Sequence, residues 1–544
     1  MIDVLEVGNV RLFAGEALWK FDLPRLGVLC GTNSAGKSTL LKLLLLLRQS
    51  QGIGEALQGS NGKLRLVGSQ LDLGSYEAFV SHQDASKDVV LGISIGAAMP
   101  RAAAAILKLW KAQGQRLKAS SLPTSEGTTP YRLRARFTFG RRARPRTTGQ
   151  RKGERGDTDG DAGSMQESLV PVLKRATFSI VVDGVEVADW QIALIPTPVH
   201  EPIGPARYEM LIPSALLQAT GWLDMVEART DERSGYTAFP ATVLGVLPAG
   251  ITVRVRSTEP DRKGRKRAPQ FAAWPLPFPI SNTLDDLKVA LTNIHYLGPL
   301  RALPKRYYVS QGAAEPGMDA AGDFLPYVLR DRGAEPVVFT PPMGARSATQ
   351  PLVKALDGWL RYLRTGEPFG EASNEGELAI ATTRDVLVEL SLRSTIGGAS
   401  HALADSGFGY SQVLPILVRG LLAPTGSTLI VEQPELHLNP SLQVRLAEFF
   451  VGLARAGKQV LLETHSEHVV NSMRVLAAES EAEVDQCAVF FLDAPNGKPE
   501  VHRLEVASDG IVENWPRNFF GEAANLRGRL LRAQGRARPS PNRI

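Results

Sequence analysis

Cysteine is scarce: Cys30 and Cys487 are the only two in 544 residues, far apart and each inside an apolar run. That excludes a disulfide framework, leaves too few ligands for a cysteine-based zinc site, and fits a reducing cytoplasm. Long apolar runs are missing too. The longest, Leu40 to Leu47, is too short to span a bilayer, is broken by Lys42, and reads as a buried helix. The opening MIDVLEVGNV lacks the basic-then-apolar order of a signal peptide, so neither secretion nor a membrane partner is expected. Heptads are not sustained, which excludes a long coiled-coil arm, and no tandem repeat of fixed period runs through the chain.

What is present is an ordinary globular balance, 43% apolar and 22% charged, enough for burial to offset the ordering entropy. The length allows about three domains or one head with insertions. The net charge of +6 is modest but unevenly spread. RLRARFTFGRRARPRTTGQRKGER fills Arg132 to Arg155, RKGRKR fills Arg262 to Arg267, and a basic tail runs from Arg527 to Arg543. Such patches are the footprint of a polyanion, which makes nucleic acid an admissible partner. Interleaved Gly, Pro and Thr equally allow solvated loops.

Apolar runs and turns divide the chain into residues 1–98, 99–289, 290–525 and a flexible basic tail, 526–544. The first part reads as strand, loop, Leu-rich helix and further strands, KLRLVG among them. The middle part carries a short helix (Ala102 to Leu117), a disordered-looking loop near 140–165, and strands such as ATFSIVVDG and ITVRVRS. The third part has a strand pair in LAIATTRDVLVELSL, then glycine, acid and histidine motifs, then CAVFFLDAP and a hairpin candidate, VHRLEV.

Chemistry concentrates at two places. Gly31, Thr32, Asn33, Ser34, Ala35, Gly36, Lys37 and Ser38 match the eight-position P-loop pattern between a strand-like run and a helix, with Thr39 following. Backbone N–H groups and the helix start would cradle the phosphates of ATP, Lys37 would pair with the β- and γ-phosphates, and Ser38 would hold Mg2+. TLIVE at Thr428 to Glu432 reads as a Walker B strand whose terminal Glu432 lies on the magnesium side. Gln433 stands where a water-polarising glutamate is usual, and an amide accepts no proton, so hydrolysis is expected to be slow unless Glu435 takes the role. Glu435 reads alternatively as a helix N-terminal acid after Pro434. His465, at the end of KQVLLETH, would sense the γ-phosphate.

Beside these elements, ADSGFGYSQVLPILV resembles the signature segment of ABC-type ATPases. The resemblance implies that Ser406, Gly407 and Gly409, with Ser411 and Gln412 close behind, contact the γ-phosphate held by an opposite protomer. The order of motifs is similar to the RecF and SMC head, and GFGYSQVLP, EQPELHLNP, ETHSEH, YLGPLR and DGIVENWPRNFF look like stand-alone bacterial AAA-type ATPases related to the OLD and Septu defence proteins. The fold implied is α/β, an ABC-type P-loop ATPase head of mixed β-sheet and flanking helices with an inserted middle α/β region. The resemblance spans roughly residues 1–95 and 290–525. It departs from OLD proteins after His465, where the remaining chain is too short for a Toprim nuclease and lacks its DxD motif. It leaves the Q-loop glutamine open between Gln49 and Gln70. The function implied is a cytoplasmic, dimerising ATPase that regulates a separate effector, a nuclease in anti-phage defence. The alternative is a RecF-like ATPase acting on DNA ends or gaps. A transporter ATPase fits poorly, because the signature is not LSGGQ.

Overall fold

The computed structural model describes residues 1–51, 62–100, 104, 127–141, 171–195, 206–255, 270–309, 320–367, 377–393, 400–479 and 487–537. Within these, 16, 220–221, 223–225, 228, 232–234, 324, 385–386, 406–407, 505, 508, 513–515 and 517–521 are not described. The chain forms a mixed α/β fold in two compact units, Met1–Leu23 with Ser38–Tyr296 and Ala423–Leu429, and Pro24–Lys37 with Leu297–Leu422 and Ile430–Ile544.

The first unit is dominated by one twelve-stranded sheet. Ile2–Gly8 pairs antiparallel with both Trp19–Asp22 and Val89–Pro100. From there Thr128–Gly140, Val172–Val182, Val185–Leu194 and Tyr208–Pro213 follow as an antiparallel meander. The middle region is therefore β-rich, and its sheet is continuous with the N-terminal strands. Val89–Pro100 runs straight through the boundary expected at residue 98. One face supplies the core: Phe178 stacks on Trp190 with ring centroids 5.5 Å apart, and Phe137 meets Phe178 edge-on. The short helix expected over Ala102 to Leu117 lies outside the described residues apart from Ala104.

The arginine-rich run is only partly the loop its composition suggested. Up to Gly140 it is strand, because RLRARFTF alternates polar and apolar with period two. Arg132, Arg134 and Arg136 share the solvent face, where Arg132 pairs with Asp3 at 3.2 Å and Arg136 with Glu6 at 2.7 Å. Arg141 pairs with Glu77. Residues 142–155 and 262–267 lie outside the described residues. KLRLVG makes isolated bridges, Lys63 to Val172 and Val67 to Asp72, in place of the expected strand. The Gln49 amide takes up the neighbouring backbone, donating to the carbonyls of Arg65 and Leu71 and accepting from the N–H groups of Gln70 and Leu71. That commits Gln49 to this turn, while Gln70 accepts from Arg48.

In the second unit the sheet runs in the order Thr428–Glu432, Gln459–Glu463, Leu26–Gly31, Cys487–Asp493, Glu500–Leu504. Leu26–Gly31 is parallel to both its neighbours, and Glu500–Leu504 closes the edge as the antiparallel arm of the expected hairpin. Leu378–Thr383 and Leu387–Arg393 form the expected antiparallel pair. Helix Leu352–Thr365 brings Trp359 against Phe449 of helix Pro440–Arg455, centroids 5.0 Å apart. The basic tail does not begin as a flexible segment: Glu522–Ala537 is a helix, as its Ala, Leu, Arg and Gln content favours. No described helix is long and apolar enough to cross a membrane.

Lys458 is an unusual core residue, 1% exposed, with Nζ donating to the carbonyl oxygens of Gly420 and Leu421 at 2.8 and 2.9 Å. Those carbonyls belong to the last turn of helix Phe408–Leu422, where intrahelical donors run out and a cation is favourable. Burial pushes the Lys458 amine from 10.5 down to about 7. Between those values the unfolded chain binds more protons than the folded one, so this lysine's contribution makes stability rise with pH above 7, and its charge-burial penalty is complete below. Denaturant titrations between about pH 7 and about pH 9 should show Lys458→Met losing a slope of up to about 1.4 kcal/mol per pH unit relative to wild type. Identical slopes would refute the assignment.

Candidate nucleotide site

The residues singled out from the sequence gather at the C-terminal ends of the parallel strands Leu26–Gly31 and Gln459–Glu463 and of Thr428–Glu432, the edge where ligands usually bind in such sheets. Leu26–Gly31 is buried up to its last residue and ends in the P-loop. Gly31 has φ +126°, and a Cβ there would collide with the Leu492 carbonyl oxygen, so glycine alone fits. The same carbonyl accepts the Thr32 N–H, and the Thr32 hydroxyl donates to Asp493 at 2.7 Å. Positive φ at Ser34 (+61°) and Gly36 (+94°) curls the loop before helix Lys37–Ser50 begins. Thr32, Asn33 and Ser34 are exposed, whereas Ala35, Lys37 and Thr39 are buried and Gly36 and Ser38 half-buried.

Lys37 is folded back into its own loop, its Nζ donating to the carbonyl oxygens of Thr32 at 2.6 Å and Gly31 at 3.2 Å. Burial lowers its pKa, while the charges of Glu463 and Cys30 pull it back up. Cys30 is itself buried, and its thiol is pushed up by desolvation.

The strand Thr428–Glu432 is buried throughout, and Glu432 is 3% exposed. Gln433 follows at φ +45°, a left-handed conformation that costs a non-glycine residue about 1–2 kcal/mol. Its N–H donates to the Glu463 carbonyl oxygen at 2.7 Å, bringing the two strand ends together. Glu435 is not a helix N-terminal acid. The loop continues as a turn, and the helix begins at Pro440 behind the Asn439 N-cap, whose side chain accepts from Leu442 N–H. Glu435 instead bridges to the neighbouring strand end, one oxygen accepting from the Thr464 hydroxyl at 2.8 Å and the other from the His465 N–H at 2.7 Å. The His465 side chain is exposed.

Ser406 and Gly407 lie outside the described residues. Gly409 sits in the first turn of helix Phe408–Leu422, where a Cβ would come within 4 Å of Leu438, Leu442 and the His437 carbonyl oxygen. Ser411 and Gln412 are buried in that helix. Glu463 and Arg301 belong to this neighbourhood; both stand inside runs quoted from the sequence, ETHSEH and YLGPLR, but neither was given a role there. For Glu463 the legible signal is an acid closing the apolar strand QVLLE. Arg301 donates to the Glu432 and Gln433 carbonyl oxygens across 131 and 132 residues of chain, which no local pattern announces.

The strand, loop and helix from Leu26 to Ser50 carry the P-loop pattern, and the strand Gln459–Glu463 separates Leu26–Gly31 from the strand that ends in the buried Glu432. Residues 373–471 match the family described as "AAA domain, putative AbiEii toxin, Type IV TA system". Over that stretch the chain is similar to AAA-type ATPase domains. Residues 483–530 match a family described as a protein of unknown function (DUF3696). No curated protein matches. Among solved structures, the chain is similar to the SMC head domain from Thermotoga maritima, at 8% identity, 93% of this chain, 99% of that one and a TM-score of 0.31. It is also similar to an SMC head bound to the C-winged helix domain of ScpA, at 9%, 93%, 98% and 0.36. For an SMC head bound to the C-terminal domain of ScpA derived from Pyrococcus furiosus the values are 8%, 97%, 99% and 0.33.

Proposed function

We propose that the chain binds ATP with Mg2+ and pairs head to head with a second copy. It hydrolyses the nucleotide slowly and passes the bound state to a separate effector protein. The observation carrying this reading is the division of labour among carboxylates. Glu432 is buried at the strand end, Gln433 occupies the next position, and Glu435 spends an oxygen each on Thr464 and His465. Such a site holds phosphates without an evident proton acceptor.

Ser38 and Glu432 offer a hydroxyl and a carboxylate, both hard oxygen donors suited to Mg2+. Lys37 would exchange its two loop carbonyls for phosphate oxygens. His465, exposed beside the Glu435 bridge, would report on the γ-phosphate. Ser406, Gly407 and Gly409 would reach the γ-phosphate on the opposite copy. A nuclease in anti-phage defence is the effector this reading takes, with a RecF-like ATPase acting on DNA as the alternative; the family matched over residues 373–471 is described as a putative toxin of a type IV toxin–antitoxin system, wording that agrees with the first.

Complementation tests the composite site. A Ser406→Arg chain mixed with a Lys37→Ala chain should recover ATP turnover that neither parent has, because one of the two shared sites is then intact. A mixture that stays inactive while both parents fold and pair would sink the head-to-head reading.

A further inference from the structure

Leu300 and Leu303 are 82% and 63% exposed, yet Arg301 between them turns inward and is only 7% exposed. A surface segment that buries its arginine while exposing its leucines reverses the usual preference, so the guanidinium has a task inside. Its Nη2 donates to the Glu432 carbonyl oxygen at 3.1 Å and its Nη1 to the Gln433 carbonyl oxygen at 3.4 Å. From the other side, the Gln433 N–H is held by the Glu463 carbonyl oxygen at 2.7 Å. The residue at φ +45° is thus pinned at its N–H, at its own carbonyl and at the carbonyl before it.

We infer that Arg301 is a positioning residue for ATP hydrolysis, a guanidinium clamp that fixes the left-handed turn at the end of the Walker B strand and so sets where the Glu432 and Gln433 side chains point. The inference rests on the reading of Glu432 and Gln433 as part of the nucleotide site. Arginine suits the task because its planar fork can engage two successive carbonyls, whereas a lysine ammonium is a compact point charge without that fork. The charge is permanent, so the clamp does not open with pH. Turn geometry matters to the chemical step more than to capture of the nucleotide, since the P-loop binds the phosphates through its own N–H groups and Lys37. Misplacement of reacting groups by about 1 Å costs on the order of a hundredfold in rate.

The test compares Arg301→Met, Arg301→Lys and Glu432→Gln in the full-length chain, reading ATP affinity, single-turnover hydrolysis and thermal midpoint. Arg301→Met should bind ATP within about threefold of wild type while hydrolysing it at least about tenfold more slowly, the signature of an interaction that matters in the transition state. Arg301→Lys should fold and fall between the two. If Arg301→Met does not fold, the lysine variant carries the test through the same split between affinity and rate. Affinity and rate falling together in proportion to the folded fraction would make Arg301 merely structural and overturn the inference. A wild-type rate in the Arg301 variants with an inactive Glu432→Gln overturns it as well. Wild-type rates in all three variants would instead mean that the reading of Glu432 has failed, and the clamp with it.

Discussion

Lys37→Ala is expected to weaken ATP binding by about a hundredfold or more while leaving the protein at least as stable as wild type. The Lys37 side chain is buried, and among the described residues its ammonium donates to the carbonyls of Thr32 and Gly31. Desolvation works against the charged form, with Glu463 and Cys30 opposing that effect. Removing this cation therefore relieves a cost in the empty protein and takes an attraction from the bound one. Two charge-assisted hydrogen bonds to phosphate amount to about 3 kcal/mol or more, about two decades in the dissociation constant. Equilibrium binding of ATP and a thermal melt in its absence separate the two effects. Tight ATP binding retained by Lys37→Ala would remove the P-loop assignment, and a collapsed melting curve would show Lys37 to be a structural residue.

The parts of this site that were legible in the sequence are those whose cause is local. GTNSAGKS reads as a P-loop from its glycine spacing between a strand-like run and a helix, and TLIVE reads as a strand because four β-favouring or apolar residues precede Glu432. Of the two readings open for Glu435, the helix N-terminal acid fails because two prolines compete for the helix start. Pro434 offered an N1 position without a capping side chain, while Pro440 follows Asn439, whose side chain caps the helix, and the capped start prevailed. The Arg132 run has a strand's period beneath a loop's composition, and its charges are met by Asp3 and Glu6 from a strand more than a hundred residues away. KLRLVG has strand-like residues, but bonds from the Gln49 side chain hold the adjoining backbone in another shape. The clamp from Arg301 and the closeness of Glu463 to Lys37 arise only when distant segments meet, so periodicity and spacing carry no trace of them.

Gln433→Glu is expected to raise single-turnover hydrolysis by about a hundredfold or more, the ordinary worth of a positioned general base. The backbone at this position is pinned by the Glu463 carbonyl and by Arg301, so the new carboxylate would occupy the space of the present amide. It would join a buried Glu432 and stand near Glu463, a crowd of like charge that raises the proton affinity of a carboxylate. The Arg301 guanidinium and an incoming metal–nucleotide pair supply the opposing charge. Glu435→Gln should change the rate little by comparison, its effect coming through a weakened bridge to Thr464 and His465. The roles reverse if Glu435 is the working base: wild type is then measurably active, Glu435→Gln abolishes that activity, and Gln433→Glu adds little. A fast wild type that tolerates both substitutions would defeat each assignment and send the search for the proton acceptor to Glu463, another buried acid at this edge of the sheet.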